Sequence, residues 1–565
     1  MAHDDLRAYL AALEKHGQLR RISDPVDADV DLSAAANAAG RLEGTGPALL
    51  FDNLRDITGG RVALNVHGSW ANHAVALDLP PATPVRQQVE ELARRWNDFP
   101  VPPDRRTDPP FTQNRLTGED VDLFRVLPLF RLNDSDGGFY LDKAAVVSRD
   151  PTDPEHFGKQ NVGIYRLQVK GRNRLGMQPG SIHDIAKHLR LAEERGQDLP
   201  VAIAVGVDPV TSIVAATPMR YEDSEYEMAG ALRGAPAPIA TAPLTGIDVP
   251  WGTEVLLEGV IEGRVREVEG PFGEFTGHYS GGRSMAVVRI DQISYRTDPI
   301  FEHLYLGRPW TEIDYLMGPA TCVPLLAQLR TEFPEVRAVN AMYTHGLLVI
   351  VSTATRYGGF AKAVGLRTMT TAHGLGYCKV VIVVDEDVDP FNLPQVMWAL
   401  STKVNGPADV VNLPQMSILP LDPGADPQGI SNKLLIDATT PVRPDARGRH
   451  EHPVRDLPGV DAWMRWLRAP HTPVPAHAAS TVEAEPPAVC PRCAEPSPER
   501  QAASAEPGRW EIYACGRCHY GWRTTEPPHR VRPESFPPGL RWTRLDIAGA
   551  PELPLIPPLL PPASP

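Results

Sequence analysis

Leu6, Tyr9, Leu10 and Leu13 recur at helical spacing and Gly17 follows them, a pattern that predicts a short amphipathic helix with a glycine stop. The next apolar runs, PALLFDNL and RVALNVHG, are short and read as strands. DFPVPPDRRTDPP then breaks the periodicity with proline and charge, so residues 1–110 are expected to form an N-terminal α/β domain. Between 111 and 300 the runs KAAVVSRD, NVGIYRLQVKG, VAIAVGVD, SIVAAT, EVLLEGVIEG and MAVVRIDQISYR are rich in β-branched residues and bounded by Gly, Pro and Asp. One helical segment, IHDIAKHLRLAEERG, interrupts them, and the set predicts a barrel-like or sandwich domain.

From 301 to 469 the periodicity alternates. AVNAMYTHGLLVIVST and KVVIVVDEDV read as strands, whereas GGFAKAVGLRTMTT and LPQVMWALSTKV read as helices, which favours an α/β domain. Residues 470–488 lose all periodicity in favour of Pro, Ala and small polar residues and read as a tether. Residues 489–565 are left as a small C-terminal domain and tail.

Size and charge narrow the class. A chain of 565 residues exceeds one hydrophobic core, so three or four domains are expected. The formal charge of −14 opposes a general nucleic-acid or anionic-membrane binder, because phosphate contact rewards the opposite sign. The first residues are acidic where a secretory leader would be basic then apolar, and no run has the length to span a bilayer. The expected address is the cytoplasm.

The six cysteines divide unevenly. Cys322 and Cys378 lie alone in apolar surroundings and read as small core residues. Cys490-Pro-Arg-Cys493 and Cys515-Gly-Arg-Cys518 form two CxxC pairs separated by 21 residues, the spacing of an all-thiolate Zn²⁺ site. A segment this small cannot build its own core, so the metal would supply much of its folding free energy. Trp510, Tyr513, Tyr520 and Trp522 are expected to pack around it.

EGPFGEFTGHY poses the central question: Glu269 and Glu274 flank a Gly-Pro-Phe-Gly bend that suits neither a helix nor a central strand. The pair fits one ionised and one proton-donating carboxyl, and equally two solvated loop acids. Arg166 is available to pair with either. Asn161, His183 and Glu225 offer an amide, an imidazole and a carboxylate, a set suited to Mg²⁺ or Mn²⁺, although each alone also serves as a turn, a helix cap or a surface acid. Spacing does not separate these readings.

NVGIYR, SEYEMAGALRG and EGPFGEFTGHY, in this order, resemble the UbiD family of decarboxylases that use prenylated FMN. The likeness continues through EHLYLGRPWTE, RYGGFAKAVG and GISNKLLIDATTP and covers roughly residues 1 to 470. Within the family it is similar to the large subunit of non-oxidative hydroxyarylic acid decarboxylases, which act on 4-hydroxybenzoate, vanillate, protocatechuate and related acids. The tail, CPRC…GRWEIYACGRCHYGWRTTEP, looks like the small zinc-ribbon subunit of those enzymes, here fused to the large one.

The resemblance implies an N-terminal α/β region, a split β-barrel flavin domain, a C-terminal α/β domain and a zinc ribbon. It implies that Asn161, His183 and Glu225 bind Mn²⁺, with K⁺ beside it. Ile164, Tyr165, Arg166, Met177, Gln178 and Lys433 then match cofactor-contacting positions. Glu269, Arg166 and Glu274 match a Glu–Arg–Glu network in which Glu274 donates the proton. Losing CO₂ from an aromatic ring leaves a carbanion with no adjacent electron sink, a burden that a cofactor must carry. Arg308 and His345 are candidate substrate contacts. The expected partners are a small aromatic acid, a UbiX-type flavin prenyltransferase and further copies of the chain, as a dimer or hexamer. Other readings are a UbiD-type decarboxylase of another aromatic, heteroaromatic or α,β-unsaturated acid, a flavin reductase, and a non-catalytic zinc-ribbon scaffold.

Overall fold

The structure is a computed structural model. It describes residues 3–42, 44–55, 57–180, 183–426, 428–442, 460–468, 487–505 and 510–549. The expected tether at 470–488 lies outside these except for its last two residues, as does the tail from 550 onward. The chain divides into two units, Met1–Gly448 and Arg449–Pro565. Among the described residues no helix is long and apolar enough to cross a membrane.

The first unit opens with the predicted helix, Leu6–Lys15, whose Leu6, Tyr9, Leu10 and Leu13 are all buried and whose N-terminus is capped by Asp5. Strands Leu19–Ile22, Ala48–Phe51, Val62–Leu64 and Phe301–Glu302 form a four-stranded sheet in that order. This layer therefore joins two distant stretches of chain.

The β-rich middle folds into a nine-stranded sheet, the half-barrel of the unit. Its backbone is the pair Val255–Glu269 and Arg283–Tyr295, joined antiparallel with register shifts after Glu258 and after Ile261. A side chain at Gly259 would begin 1.9 Å from the Arg289 carbonyl, so the irregularity needs glycine there. The predicted helix forms over Asp184–Glu194. SIVAAT corrects the expectation: instead of a strand, its first residues belong to the helix Pro209–Ala215. Asp208 caps that helix through the Thr211 N–H and Pro209 occupies its first turn, two start signals that outweigh β-branched composition.

The C-terminal layer is a five-stranded sheet ordered Val336–Tyr343, Leu348–Thr353, Val380–Asp385, Ile430–Ala438, Val410–Ser417. Its three inner strands are parallel and its edges antiparallel. Val349, Val351, Val381, Val383 and Leu435 enter the main core, while Ile350, Ile382, Val384 and Ala438 pack with Val396 and Ala399 of the helix Leu393–Lys403. Burial on both faces explains why these strands read as continuous apolar runs. Cys322 and Cys378 are both buried core residues.

In the second unit, strands Glu499–Ala503, Glu511–Ala514 and Gly521–Arg523 form a three-stranded antiparallel sheet. Its core consists of cysteine and aromatic side chains: Cys490, Cys515 and Cys518 with Tyr513 and Trp522.

Candidate active site

Glu269 is the last residue of the long strand Val255–Glu269, where it pairs with Arg283 across the sheet. Gly270 then turns the chain at φ +95°, a conformation that L side chains rarely adopt. The bend packs closely: a side chain on Gly273 would begin 2.4 Å from the Asn133 amide nitrogen. The Gly273 N–H donates to Asp136 Oδ1 at 2.7 Å, and the Glu274 N–H donates to the His278 carbonyl at 3.0 Å. Both carboxyls are thereby turned inward, with Glu269 fully buried and Glu274 5% exposed.

Arg166, between the strands Gln160–Ile164 and Leu167–Gly171, reaches both acids. Its Nε and Nη2 donate to the two oxygens of Glu269 at 3.0 and 2.7 Å, and its Nη1 donates to Glu274 Oε1. Phe272 lies under the guanidinium, 5.2 Å from its carbon, and Tyr140 packs on Phe272 at 4.4 Å between ring centroids. Burial raises the Glu274 carboxyl above the ordinary value, and the Arg166 charge opposes that rise without cancelling it. Burial also penalises the Arg166 cation, but Glu274 and Glu269 overcome it and hold the guanidinium above its usual value. Of the two sequence readings, solvated loop acids are excluded by this burial.

A second cluster forms around Tyr165. Asn161 Nδ2 donates to the Tyr165 hydroxyl at 3.3 Å, the His183 ring lies 5.3 Å from the Tyr165 ring, and Glu225 acts on Tyr165 by its charge. Local signals explain the placement. Ser224 caps the helix Glu225–Arg233 and Gly234 ends it at φ +69°, so Glu225 sits in its first turn. His183 stands at the N-cap of Asp184–Glu194 without capping it; its Nδ1 instead accepts the Gly180 N–H at 3.0 Å. Burial alone lowers His183 to about 4, and burial pushes Glu225 well above a normal carboxyl. Glu225 Oε2 is buried with no hydrogen-bond partner among the described residues.

The other expected positions lie as follows. Met177 ends the strand Arg174–Met177 and is fully buried; the Gln178 N–H donates to the Arg166 carbonyl at 3.5 Å. Ile164 ends the strand that carries Asn161. Lys433 is buried with its Nζ on the carbonyls of Gly374 and Leu375, at 2.6 and 3.1 Å. Arg308 is exposed and packs against Gly277, on the bend beyond Glu274. His345 is 6% exposed and stacks on Phe275 with ring centroids 3.9 Å apart and planes 7° from parallel.

Sequence reasoning noted the aromatic-rich bend that holds Phe272 and Phe275 but missed Tyr140, which packs on Phe272, Tyr377, which feels the charge of Glu274, and His373, which stacks on Tyr377. Phe272 and Phe275 lie inside the quoted motif and were legible as aromatics. His373 and Tyr377 lie in a separate segment, TTAHGLGYC, with no signal tying it to Glu274.

In the second unit the ligand atoms of Cys490, Cys493, Cys515 and Cys518 all lie within 4.8 Å of one another. The Cys490–Cys518 and Cys493–Cys515 sulfurs are 3.7 and 3.6 Å apart.

An acid–guanidinium–acid cluster buried at the edge of a half-barrel, facing an α/β layer, defines the class, and comparison with known proteins agrees. Family profiles described as 3-octaprenyl-4-hydroxybenzoate carboxy-lyase match as the N-terminal domain at 10–92, the Rift-related domain at 104–309 and the C-terminal domain at 314–438. A profile described as EcdD/BsdD phenolic detoxification matches 485–538. A phenolic acid decarboxylase of Escherichia coli O157:H7 is 68% identical over 469 residues, covering 83% of this chain and 99% of its own. The vanillic acid decarboxylase of Sedimentibacter hydroxybenzoicus, in closed form, superposes with TM-score 0.78 at 49% identity, covering 83% of this chain and 99% of that one. An evolved dimeric form of the UbiD-class enzyme HmfF from Pelotomaculum thermopropionicum, in complex with prFMN, superposes with TM-score 0.68 at 27% identity over 81% and 98%. The chain belongs to the UbiD family. It is a decarboxylase, a carboxy-lyase.

Proposed function

We propose that this enzyme removes CO₂ reversibly from a hydroxyarylic acid of the 4-hydroxybenzoate, vanillate or protocatechuate type, leaving the phenol. The observation that carries the reading is the pair of buried carboxyls on one arginine, with the Glu274 carboxyl raised by burial toward the protonated state a donor needs. Prenylated FMN, when bound, supplies the electron sink that an aromatic carboxylate lacks. Glu274 delivers the proton to the ring carbon that has lost CO₂. Arg166 holds Glu274 in reach and pairs with Glu269. Phe272 and Phe275, both buried beside the acids, keep water from competing for that proton.

Asn161, His183 and Glu225 would hold Mn²⁺ against the cofactor phosphate, with K⁺ nearby. The orphaned Glu225 Oε2 suits this role, since a cation offsets the cost of a buried carboxylate. Ile164, Tyr165, Met177, Gln178 and Lys433 would flank the cofactor, and Arg308 and His345 the substrate. In the second unit, Zn–S bonds of about 2.3 Å in a tetrahedron put the sulfurs about 3.8 Å apart. The sulfur separations of 3.7 and 3.6 Å suit a structural Zn²⁺ and a zinc-ribbon assignment. A flavin prenyltransferase would supply the cofactor, and the chain would assemble with copies of itself.

The test is to co-express the chain with a flavin prenyltransferase, purify it and assay CO₂ release from 4-hydroxybenzoic, vanillic and protocatechuic acids. Release from at least one is expected. A flavin-loaded protein inert toward all of them would overturn the substrate class.

A further inference from the structure

Among the described residues six histidines are buried, and four of them make a hydrogen bond through at least one ring nitrogen. His67 meets the Pro209 carbonyl and Lys143, His73 meets Gln88, His188 meets Ser148, and His303 meets Asp142. His373 is different: both of its ring nitrogens are buried and, among the described residues, neither makes a well-formed hydrogen bond, although the His345 backbone acts on the ring. Nε2 of His345 is likewise buried and unpartnered, a state it shares with Nε2 of His73, His188 and His303. A purely structural core histidine satisfies at least one nitrogen, because each buried orphan costs free energy.

The two rings are neighbours. His373 Nε2 lies 2.4 Å from where a side chain on Gly346 would begin, and Gly346 follows His345. Their outer faces are covered by aromatics that lead back to the acid cluster. His345 stacks on Phe275, the residue after Glu274. His373 stacks on Tyr377, with centroids 4.8 Å apart and planes 6° from parallel, and Tyr377 feels the charge of Glu274.

The backbone under His345 is also unusual. Thr344 and His345 have φ of +49° and +56°, and Gly346 follows at +77°, so two residues with side chains occupy the left-handed region in succession. Conformations of this kind persist where surrounding structure over-determines them, and they concentrate at ligand clamps. Lys433 reinforces the other arm by bonding the carbonyls of Gly374 and Leu375 in the short helix that carries His373.

We infer that His345 and His373 form a polar clamp for the para-hydroxyl of the substrate, one ring nitrogen accepting its hydrogen and another donating to its oxygen. The inference rests on the hydroxyarylic acid reading above. Chemistry selects the para-hydroxyl. Glu274 must meet the ring carbon that loses CO₂, so the substituent opposite that carbon points away from the acid cluster. A hydroxyl has one hydrogen to give and lone pairs to receive, and a neutral imidazole has one acceptor and one donor. Burial keeps both rings neutral, with His345 lowered to about 3 and His373 to about 4. A methoxy group has no hydrogen to give and would leave an acceptor nitrogen buried and unpaired.

The test compares kcat/KM for 4-hydroxybenzoate and 4-methoxybenzoate in the cofactor-loaded full chain. A site built around a hydroxyl rejects an analogue lacking it by on the order of 10⁴-fold. His373→Phe, which keeps the stack on Tyr377 but removes both nitrogens, is expected to cut that preference by on the order of 100-fold. His373→Gln, with a donor and an acceptor, should restore part of it. His345→Asn tolerates the left-handed backbone and should retain more preference than His345→Gly.

A second readout does not need turnover: 4-nitrophenol, a product analogue, changes its absorption spectrum when its hydroxyl is hydrogen-bonded. The bound spectrum should shift in the native chain and revert in His373→Phe of native-like melting temperature. An unchanged preference and an unchanged bound spectrum in that variant overturn the clamp. Equal rates on the two acids in the native enzyme overturn it too, while leaving the decarboxylase reading intact. CO₂ release from none of 4-hydroxybenzoic, vanillic and protocatechuic acids overturns the substrate reading beneath it.

Discussion

Arg166 grips Glu269 with two nitrogens, at 3.0 and 2.7 Å, and both side chains are almost wholly removed from solvent. Such a fork is stiff, because the planar guanidinium fixes both bonds at once. Its remaining nitrogen is thereby aimed at Glu274. One residue positions the arginine and the arginine positions Glu274.

Glu274→Gln keeps the side-chain shape and the bond to Arg166 but cannot donate an acidic proton. Turnover should fall by about 10² to 10⁴-fold. Flavin absorbance of the purified protein should be unchanged, since Glu274 is not among the proposed cofactor contacts. Turnover at the native level would remove Glu274 from the proton-donor role.

The pH profile follows from the sign of the Glu274 shift. Burial raises its folded value above 4.5, Arg166 opposes the rise, and Glu269 adds to it. Glu274 therefore stays protonated above the ordinary carboxyl range, and a kcat that depends on its proton should decline as pH rises through the raised value. The stabilisation from the neutral carboxyl is fully present below its unfolded value and is lost across the same window. Glu269→Gln removes one contribution that raises Glu274 and frees Arg166 to favour its ionised form. The high-pH limb should move to lower pH; a shift upward would contradict the coupling.

A buried charge network outside the site gives a prediction for stability. Lys143, fully buried, bonds Glu312 at 2.5 Å, Glu302 at 2.8 Å and His67 at 3.1 Å. Burial favours neutral acids, but Lys143 overcomes it at Glu312, which is lowered to about 2, whereas burial prevails at Glu302, which is raised. Lys143→Met strands an ionised carboxylate in the core and should destabilise the first unit by about 3–5 kcal/mol. Chemical denaturation would read this directly. A loss below about 1 kcal/mol would show that the acids neutralise without cost.

The cysteine cluster predicts metal-dependent folding of the second unit. Chelation, or Cys490→Ser, should release zinc, measurable by elemental analysis, and abolish the fixed environment of Trp522 in near-ultraviolet circular dichroism. Cys515 is lowered to about 7 by hydrogen bonds from the Cys518 and Arg517 N–H groups, against the opposing effect of burial. Metal retention should accordingly weaken as pH falls below neutrality. A native tryptophan signal in metal-free protein would refute a structural role for the ion.

Much of this protein was decided locally. The Leu6–Lys15 helix, the capped start at Ser224, the glycine turn at Gly270 and the paired CxxC knuckles all depend on residues a few positions apart, so the sequence alone determined them. Local composition misled at SIVAAT, where a cap and a proline just upstream started a helix through β-branched residues. Tertiary structure decided what long-range packing controls: the fourth strand that Phe301–Glu302 lends to the N-terminal sheet, and the 103 residues spanned between Arg166 and Glu269. It alone turned both glutamates out of solvent and set His373 beside His345. Burial is a property of what surrounds a residue in space, and it is burial that raises the Glu274 carboxyl above an ordinary glutamate.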